Sequence, residues 1–387
     1  MLSAGANRSS REDLLRSRVE DELDAARKKV ENDILAEKPP DGNIDISGCY
    51  NKAAQILGDY VTLDLQHSAD IIGVMNNIRE YDRDKKKKRP LNILLQAEPG
   101  SGKSYLIEHL AEKMSAPEVK EVVFNMTTMG QVDDLAGALE SVRNLKVKGK
   151  LPLLFLDEFD CNERNYSILL PLMWDGGLQV GQRQLEVGKL VIVLAGSQKN
   201  IVGAMELSKA MRTEAPGGET KLVDLMSRIN GGVLVIPGLD DVGDTERGTA
   251  AYRNRRVDKV CISVSLLLRR FECVEEVPWA LLKFISRTKF RYGVRSIHNL
   301  IDLIPLEIKN LRKLQIQDLK KLPLGDTADL KGSHLAHHII CDDGPTEVVN
   351  LWRKVRRVNN KLVRIKEEPK KPMSPVDALV RFLWEEK

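Results

Sequence analysis

Five strand-sized apolar runs lie between residues 91 and 238: "LNILLQA", "EVVFNMT", "LPLLFLD", "LVIVLAG" and "GVLVIPG". Stretches of helical character separate them. A strand that reads as a near-continuous apolar segment is buried on both faces, and helices on both sides of a parallel sheet do that burying. This pattern predicts an α/β core built on a parallel sheet covered by helices. Beyond residue 240 strand signals fade. "VDKVCISVSLLLRRF", "PWALLKFISRTKF" and "VRSIHNLIDLIPLEIKNLRKL" read as helices of a smaller, separate unit.

The first apolar run breaks into "AEPGSGKS", residues 97–104, which fits the phosphate-loop spacing G-x-x-x-x-G-K-[ST] with Ala97 at the first position. Gly100 and Gly102 permit the turn that aims backbone N–H groups at phosphate oxygens, and the helix that follows points its positive end the same way. The backbone of Pro99, Gly100, Ser101, Gly102, Lys103 and Ser104 forms the expected cradle. Lys103 supplies a full charge to the phosphates, and Ser104 offers an oxygen to Mg²⁺. The third run, "LPLLFLDEFD", ends in two adjacent carboxylates at the strand edge where ligands of parallel sheets bind. Asp157 suits the metal and Glu158 suits polarising a water, so water rather than a small-molecule hydroxyl is the expected phosphoryl acceptor. A P-loop kinase would not need Glu158.

In order, "AEPGSGKS", "LFLDEF", "VIVLAGS", "DLMSRI" and "YGVRS" resemble the successive motifs of AAA+ ATPases, over roughly residues 70 to 310. The resemblance implies a P-loop NTPase core with a small helical lid, ATP and Mg²⁺ as ligands, and assembly into a ring. It makes Ser197 the polar sensor that helps place the attacking water. It makes Arg228 the arginine that reaches a neighbouring subunit's γ-phosphate, with Arg212 in "KAMRTE" as the nearest competitor. Arg295 becomes the second sensor, from the lid. A positioned guanidinium stabilises charge that spreads over the γ-phosphoryl oxygens in the transition state. The segments "LLPLMWDGGLQVGQ" and "DLMSRINGGVLVI" also resemble a group of bacterial AAA-type ATPases. Polymer-threading members carry an aromatic loop after the second strand. Here "NMTTMGQVDD" offers only Met129-Gly130, which argues against peptide threading. "DGGLQVGQRQLEVGKL" reads either as a hairpin projecting from the core or as a long loop.

Outside this core the signals are weaker. Leu15, Val19, Leu23, Ala26, Val30 and Ile34 recur at steps of three or four, which predicts an amphipathic helix over 8–37, packed on its own domain or on a partner. A second helix is predicted to open at Ser68 as N-cap, with Ile71, Met75 and Ile78 on one face. "DRDKKKKRP" reads as a solvated linker. "VVNLWRKVRRVNNKLVRIK" reads as a basic helix whose stripe from Arg353 to Lys366 makes nucleic acid an alternative partner. Only Trp352 is aromatic nearby, and aromatics make up just 5% of the chain, which weighs against base stacking. A net charge of +4 does not by itself indicate nucleic acid. His334, His337, His338 and Cys341 lack the second ligand pair that a zinc site needs. The five cysteines show no paired spacing and no signal-peptide pattern precedes them, so reduced thiols in a cytoplasm are expected. No apolar run is long enough to span a membrane.

These readings divide the chain into an N-terminal helix and linker (1–45), a helical lead-in (46–89), an ATPase core (90–240), a helical lid (241–320) and a basic extension (321–387). The function they imply is an oligomeric AAA+ ATPase that remodels a protein or nucleoprotein partner. The alternatives are a slow-hydrolysing, ATP-dependent assembly switch and a DNA-associated motor or loader.

Overall fold

The computed structural model describes residues 24–33, 42–46, 55–114, 116–162, 164–197, 219–239 and 250–304, together with isolated positions and short pieces at 21, 36, 306, 312–314, 357–358 and 361–362. The chain divides into two compact units: Gln66–Gly238, and Met1–Leu65 with Leu239–Lys387.

The first unit is built on a five-stranded, all-parallel sheet. Its strands are β4 (Leu91–Gln96), β5 (Val119–Asn125), β6 (Leu151–Asp157), β9 (Val191–Gly196) and β10 (Gly232–Val235), in the spatial order β10-β4-β9-β6-β5. All five expected runs are strands. The three central strands are buried almost end to end. The edge strands β5 and β10 are more exposed, and their side chains alternate between the two faces of the sheet. Helices α1 (Leu65–Arg83), α2 (Lys103–Lys113), α3 (Ala136–Val147), α4 (Arg164–Asp175) and α5 (Glu219–Met226) connect or flank the strands. Helix α1 buries Ile71, Met75 and Ile78 as expected. It opens at Leu65, however, so Ser68 lies inside its first turn and is not the N-cap.

The segment after α4 is a hairpin of β7 (Gly177–Val180) and β8 (Arg183–Glu186), turned by Gly181 at φ 56°. Leu178, Leu185 and Val187 join the core, so the hairpin lies on the unit and does not project from it. Met129 is buried in the same core at 8% exposure, so its side chain is not presented to a threaded chain.

The second unit gathers helices α6 (Ala250–Arg270), α7 (Trp279–Arg287) and α8 (Gly293–Asp302) around Val260, Val264, Leu282 and Ile297. Its N-terminal residues fold into the same core. Strand β1 (Asn43–Asp45) pairs antiparallel with β11 (Glu276–Pro278), and Val30, from a helical stretch at 24–33, is fully buried. That part of the amphipathic helix packs on its own unit; Leu15, Val19, Leu23 and Ile34 lie outside the described residues. Strands β2 (Gln55–Leu57) and β3 (Tyr60–Val61) form a further small ladder. Near the C-terminus the expected basic helix is corrected. β12 (Arg357–Val358) pairs antiparallel with β13 (Lys361–Leu362), as suits a sequence with two turn-forming asparagines between them. The His/Cys cluster at 334–341 and Arg212 lie outside the described residues.

Among the described residues of this second unit, Asp258 is a buried acid. Asp258 accepts from the Leu63 backbone N–H at 3.2 Å and pairs with Arg255 at 3.3 Å, while Arg255 also reaches Asp64 at 3.4 Å. Burial raises the Asp258 carboxyl to about 6, against the pull of Arg255. The folded state therefore holds a proton that the unfolded chain has already released between about pH 4 and 6, so stability from this group falls as pH rises through that window. The loss amounts to about 3 kcal/mol. Asp258→Asn is expected to flatten this part of the pH–stability curve, measured by denaturant unfolding from pH 4.5 to 7.5. An unchanged slope would remove Asp258 as its source.

Candidate functional site

The strand order creates the site. β9 lies between β4 and β6, with Gln96 level with Gly196 and Asp157 level with Ala195. The residue that follows β9 therefore emerges between the loop after β4 and the acids after β6. That residue is Ser197.

After β4 the chain turns through Gly100 at φ 81° and Gly102 at φ 94°, a left-handed backbone that glycine adopts at no steric cost. Helix α2 then begins at Lys103 with no side chain capping its N-terminus, which leaves its first N–H groups available to an anion. Lys103 is 7% exposed, yet its Nζ lies 2.8 Å from Glu158 Oε1 and 3.7 Å from Asp157 Oδ1. Ser197 Oγ donates to the other Glu158 oxygen at 2.9 Å. Lysine, glutamate and serine thus form a continuous polar chain along the carboxyl edge of the sheet. Ser104 is exposed in the first turn of α2.

Two features of the acids bear on chemistry. Glu158 adopts φ 55° and ψ 40°, a left-handed conformation that costs a residue with a side chain roughly 1–2 kcal/mol. Such strain concentrates where a side chain must be aimed. The Asp157 carboxyl is raised above the usual carboxylate range, first by burial and also by the neighbouring Glu158 charge, against the pull of Lys103. A third acid, Asp160, was unassigned from sequence. It is buried on the short turn after β6 and accepts the Ser197 backbone N–H at 3.0 Å, which fixes the Ser197 backbone. Its signal was the second aspartate of "DEFD", three residues past Asp157.

The structure does not bring Arg228 to this edge. β10 enters the sheet with Gly232 level with Ile93, so Arg228, four residues earlier, sits at the amino edge. A six-residue strand such as β4 rises about 20 Å, further than an arginine side chain reaches. Arg228 Nη1 donates to the Leu170 carbonyl of α4, and its guanidinium lies 5.5 Å from the Trp174 ring centroid. Asn92, also unassigned from sequence, holds this turn. Its buried Nδ2 donates to Met173 O at 2.9 Å and Arg228 O at 2.8 Å, tying the end of α4 to the turn before β10. A polar residue second in an apolar strand was the available signal. Asn92→Leu leaves two buried carbonyls without that donor and is expected to cost roughly 2 kcal/mol or more, read as a lower denaturation midpoint with ATP affinity retained. Arg295 belongs to the other unit, exposed in the first turn of α8.

Residues 93–204 match the family profile of the "ATPase family associated with various cellular activities (AAA)", a span that contains Lys103, Asp157, Glu158 and Ser197. That span is similar to an AAA domain. The match ends before Arg228 and Arg295. No curated protein matches the chain. Among solved structures, NtrX from Brucella abortus in complex with ATP is similar at 17% identity and TM-score 0.42, over 64% of this chain and 52% of that one. The ADP complex of the same protein gives 14%, 0.41, 62% and 49%. The Hsp104–ADP complex of S. cerevisiae gives 16%, 0.33, 53% and 37%. The chain thus spans about half the length of the NtrX structures it matches. No described helix is long and apolar enough to cross a membrane.

Proposed function

We propose that this AAA-like domain binds and hydrolyses MgATP, and that hydrolysis is completed between copies of the chain. The observation that carries the reading is the Lys103–Glu158–Ser197 chain on the carboxyl edge, below an uncapped helix N-terminus. Lys103 is already charged, buried and aimed. When phosphates enter, they compete with Glu158 for its Nζ, and the lysine turns from the glutamate to the β- and γ-oxygens. That frees Glu158 Oε1 to take a proton from water, while Ser197 keeps hold of Oε2 and the left-handed backbone keeps the carboxylate in place. Asp157 and the Ser104 hydroxyl are hard oxygen donors that suit Mg²⁺. A divalent cation also relieves the burial that disfavours the Asp157 anion. With the ion bound, charge on the phosphate oxygens is neutralised.

Arg228 faces away from its own chain's Lys103, so in this reading it serves a neighbouring copy. Arg295 keeps in this reading the second-sensor role that the sequence resemblance implies. Turnover would then drive rearrangements that remodel a protein or nucleoprotein partner. The buried Met129 favours remodelling without axial threading.

A direct test measures ATP turnover per chain against protein concentration, with oligomer mass followed in parallel. Turnover per chain should rise with assembly and then plateau. Turnover that is independent of concentration in a chain that stays monomeric would sink the shared-site reading.

A further inference from the structure

At the amino edge of the sheet the Trp174 ring meets two arginines. The Arg89 guanidinium lies 3.7 Å from the ring centroid and that of Arg228 lies 5.5 Å from it. Trp174, at the end of α4, is 43% exposed, an unusual investment of indole surface in solvent. Arg89 is anchored as well. The buried Tyr81 hydroxyl donates to its carbonyl at 3.0 Å, and Pro90 follows directly. Two guanidinium groups sharing one ring repel each other, yet among the described residues no carboxylate pairs with either. Lys103 and Lys150 of the same unit, by contrast, are both ion-paired. The exposed run Lys85–Lys88 adds positive charge immediately before Arg89. Among the described residues this is a cationic shelf with no carboxylate against it.

We propose that Trp174 holds Arg89 beside Arg228 as a two-guanidinium site for the nucleotide phosphates carried by a second copy of this chain. The inference rests on the trans assignment of Arg228 and adds a second cation and its support. A planar guanidinium stacks on an indole face and offers paired donors to phosphate oxygens, whereas an ammonium acts as a point charge. The second copy presents the complementary surface: phosphates above a carboxyl edge that already carries Glu98, Asp157 and Glu158. Arg89 contacts phosphate in this account, and Trp174 is a positioning residue.

The test compares ATP turnover and KM for Arg89→Ala, Arg89→Lys, Trp174→Leu and Trp174→Phe with Arg228→Ala as reference. Arg89→Ala and Trp174→Leu are each expected to lower kcat about tenfold or more at little-changed KM, a part of the effect known for such arginines. Trp174→Phe should keep most activity because it keeps a ring face, and Arg89→Lys should recover only part. Mixing Arg89→Ala with Lys103→Ala, which keeps both arginines but lacks the phosphate lysine, should restore turnover. If Arg228→Ala is inactive while Arg89→Ala and Trp174→Leu match the native chain, the paired site is wrong and the trans arginine stands. If Arg228→Ala matches the native chain, the underlying reading fails. An Arg89→Ala defect that mixing does not restore places Arg89 in its own chain's chemistry and overturns the proposal. So does an Arg89→Ala chain that keeps turnover but loses affinity for duplex DNA, since nucleic acid would then occupy the shelf.

Discussion

Arg228→Ala is expected to lower the ATP turnover number by roughly 10³- to 10⁵-fold while ATP affinity stays nearly unchanged. The separation follows from position. Arg228 lies at the amino edge of the sheet and its guanidinium rests against Leu170 O and Trp174, so it makes no contribution to the Lys103 cradle of its own chain. In the proposed shared-site reading its removal leaves that cradle intact and takes away only a charge needed as the γ-phosphoryl group loosens. Nucleotide binding and turnover, measured on one preparation, check the prediction. A parallel loss of binding would place Arg228 in its own chain's site.

Glu158→Gln is expected to lower turnover by roughly 10²- to 10⁴-fold and, unlike Arg228→Ala, to leave ATP bound as tightly or more tightly than in the native chain. The amide cannot take a proton from water, which accounts for the first effect. The second comes from the ion pair. Lys103 Nζ lies 2.8 Å from Glu158 Oε1, and phosphates must break that contact to engage the lysine. Glutamine removes the competing charge but still has an oxygen for the Ser197 hydroxyl, so the polar chain survives without the competition. Equilibrium binding of ATP by calorimetry, beside steady-state turnover, gives both quantities. Weaker binding in Glu158→Gln would mean that the ion pair organises the lysine for phosphate and does not compete with it.

Much of the first unit was legible because burial on both faces writes itself into sequence. The central runs "LNILLQ", "LPLLFLD" and "VIVLAG" carry almost nothing but apolar residues, and the glycines that break the first run mark the turn into α2. The residues that the structure joins at the carboxyl edge, Lys103, Asp157, Glu158 and Ser197, were each readable at the end or start of an element. Strand order was not readable, because no local pattern says that the fourth strand of the series inserts between the first and third. That insertion is what places Ser197 against Glu158. The left-handed backbone of Glu158 was equally hidden, since glutamate carries no sequence mark of a positive φ.

Residues that act through tertiary contact left fainter traces. Asn92 stands out only as a polar side chain in a buried strand, and its two carbonyl partners lie 81 and 136 residues away in sequence. Trp174 passes as the apolar end of "LLPLMWD", and Arg89 as the last residue of a solvated basic run. The chain brings them together only because α4, the linker and the turn before β10 all finish at the same edge. In the second unit the N-terminal strand Asn43–Asp45 was missed because three residues are too few to show alternation. Its partner Glu276–Pro278, far along the chain, supplies the pairing that stabilises it.

The most direct test of a site shared between copies is turnover in a mixture of two inactive chains. Lys103→Ala lacks the phosphate lysine but keeps Arg228; Arg228→Ala lacks the arginine but keeps the cradle. Each alone should hydrolyse almost no ATP. Mixed in equal amounts, some interfaces pair an intact cradle with an intact arginine, and turnover should return to a substantial fraction of the native rate. If the mixture stays as inactive as its components, although mass measurement shows that the two chains co-assemble, hydrolysis is not completed between copies and the account is wrong.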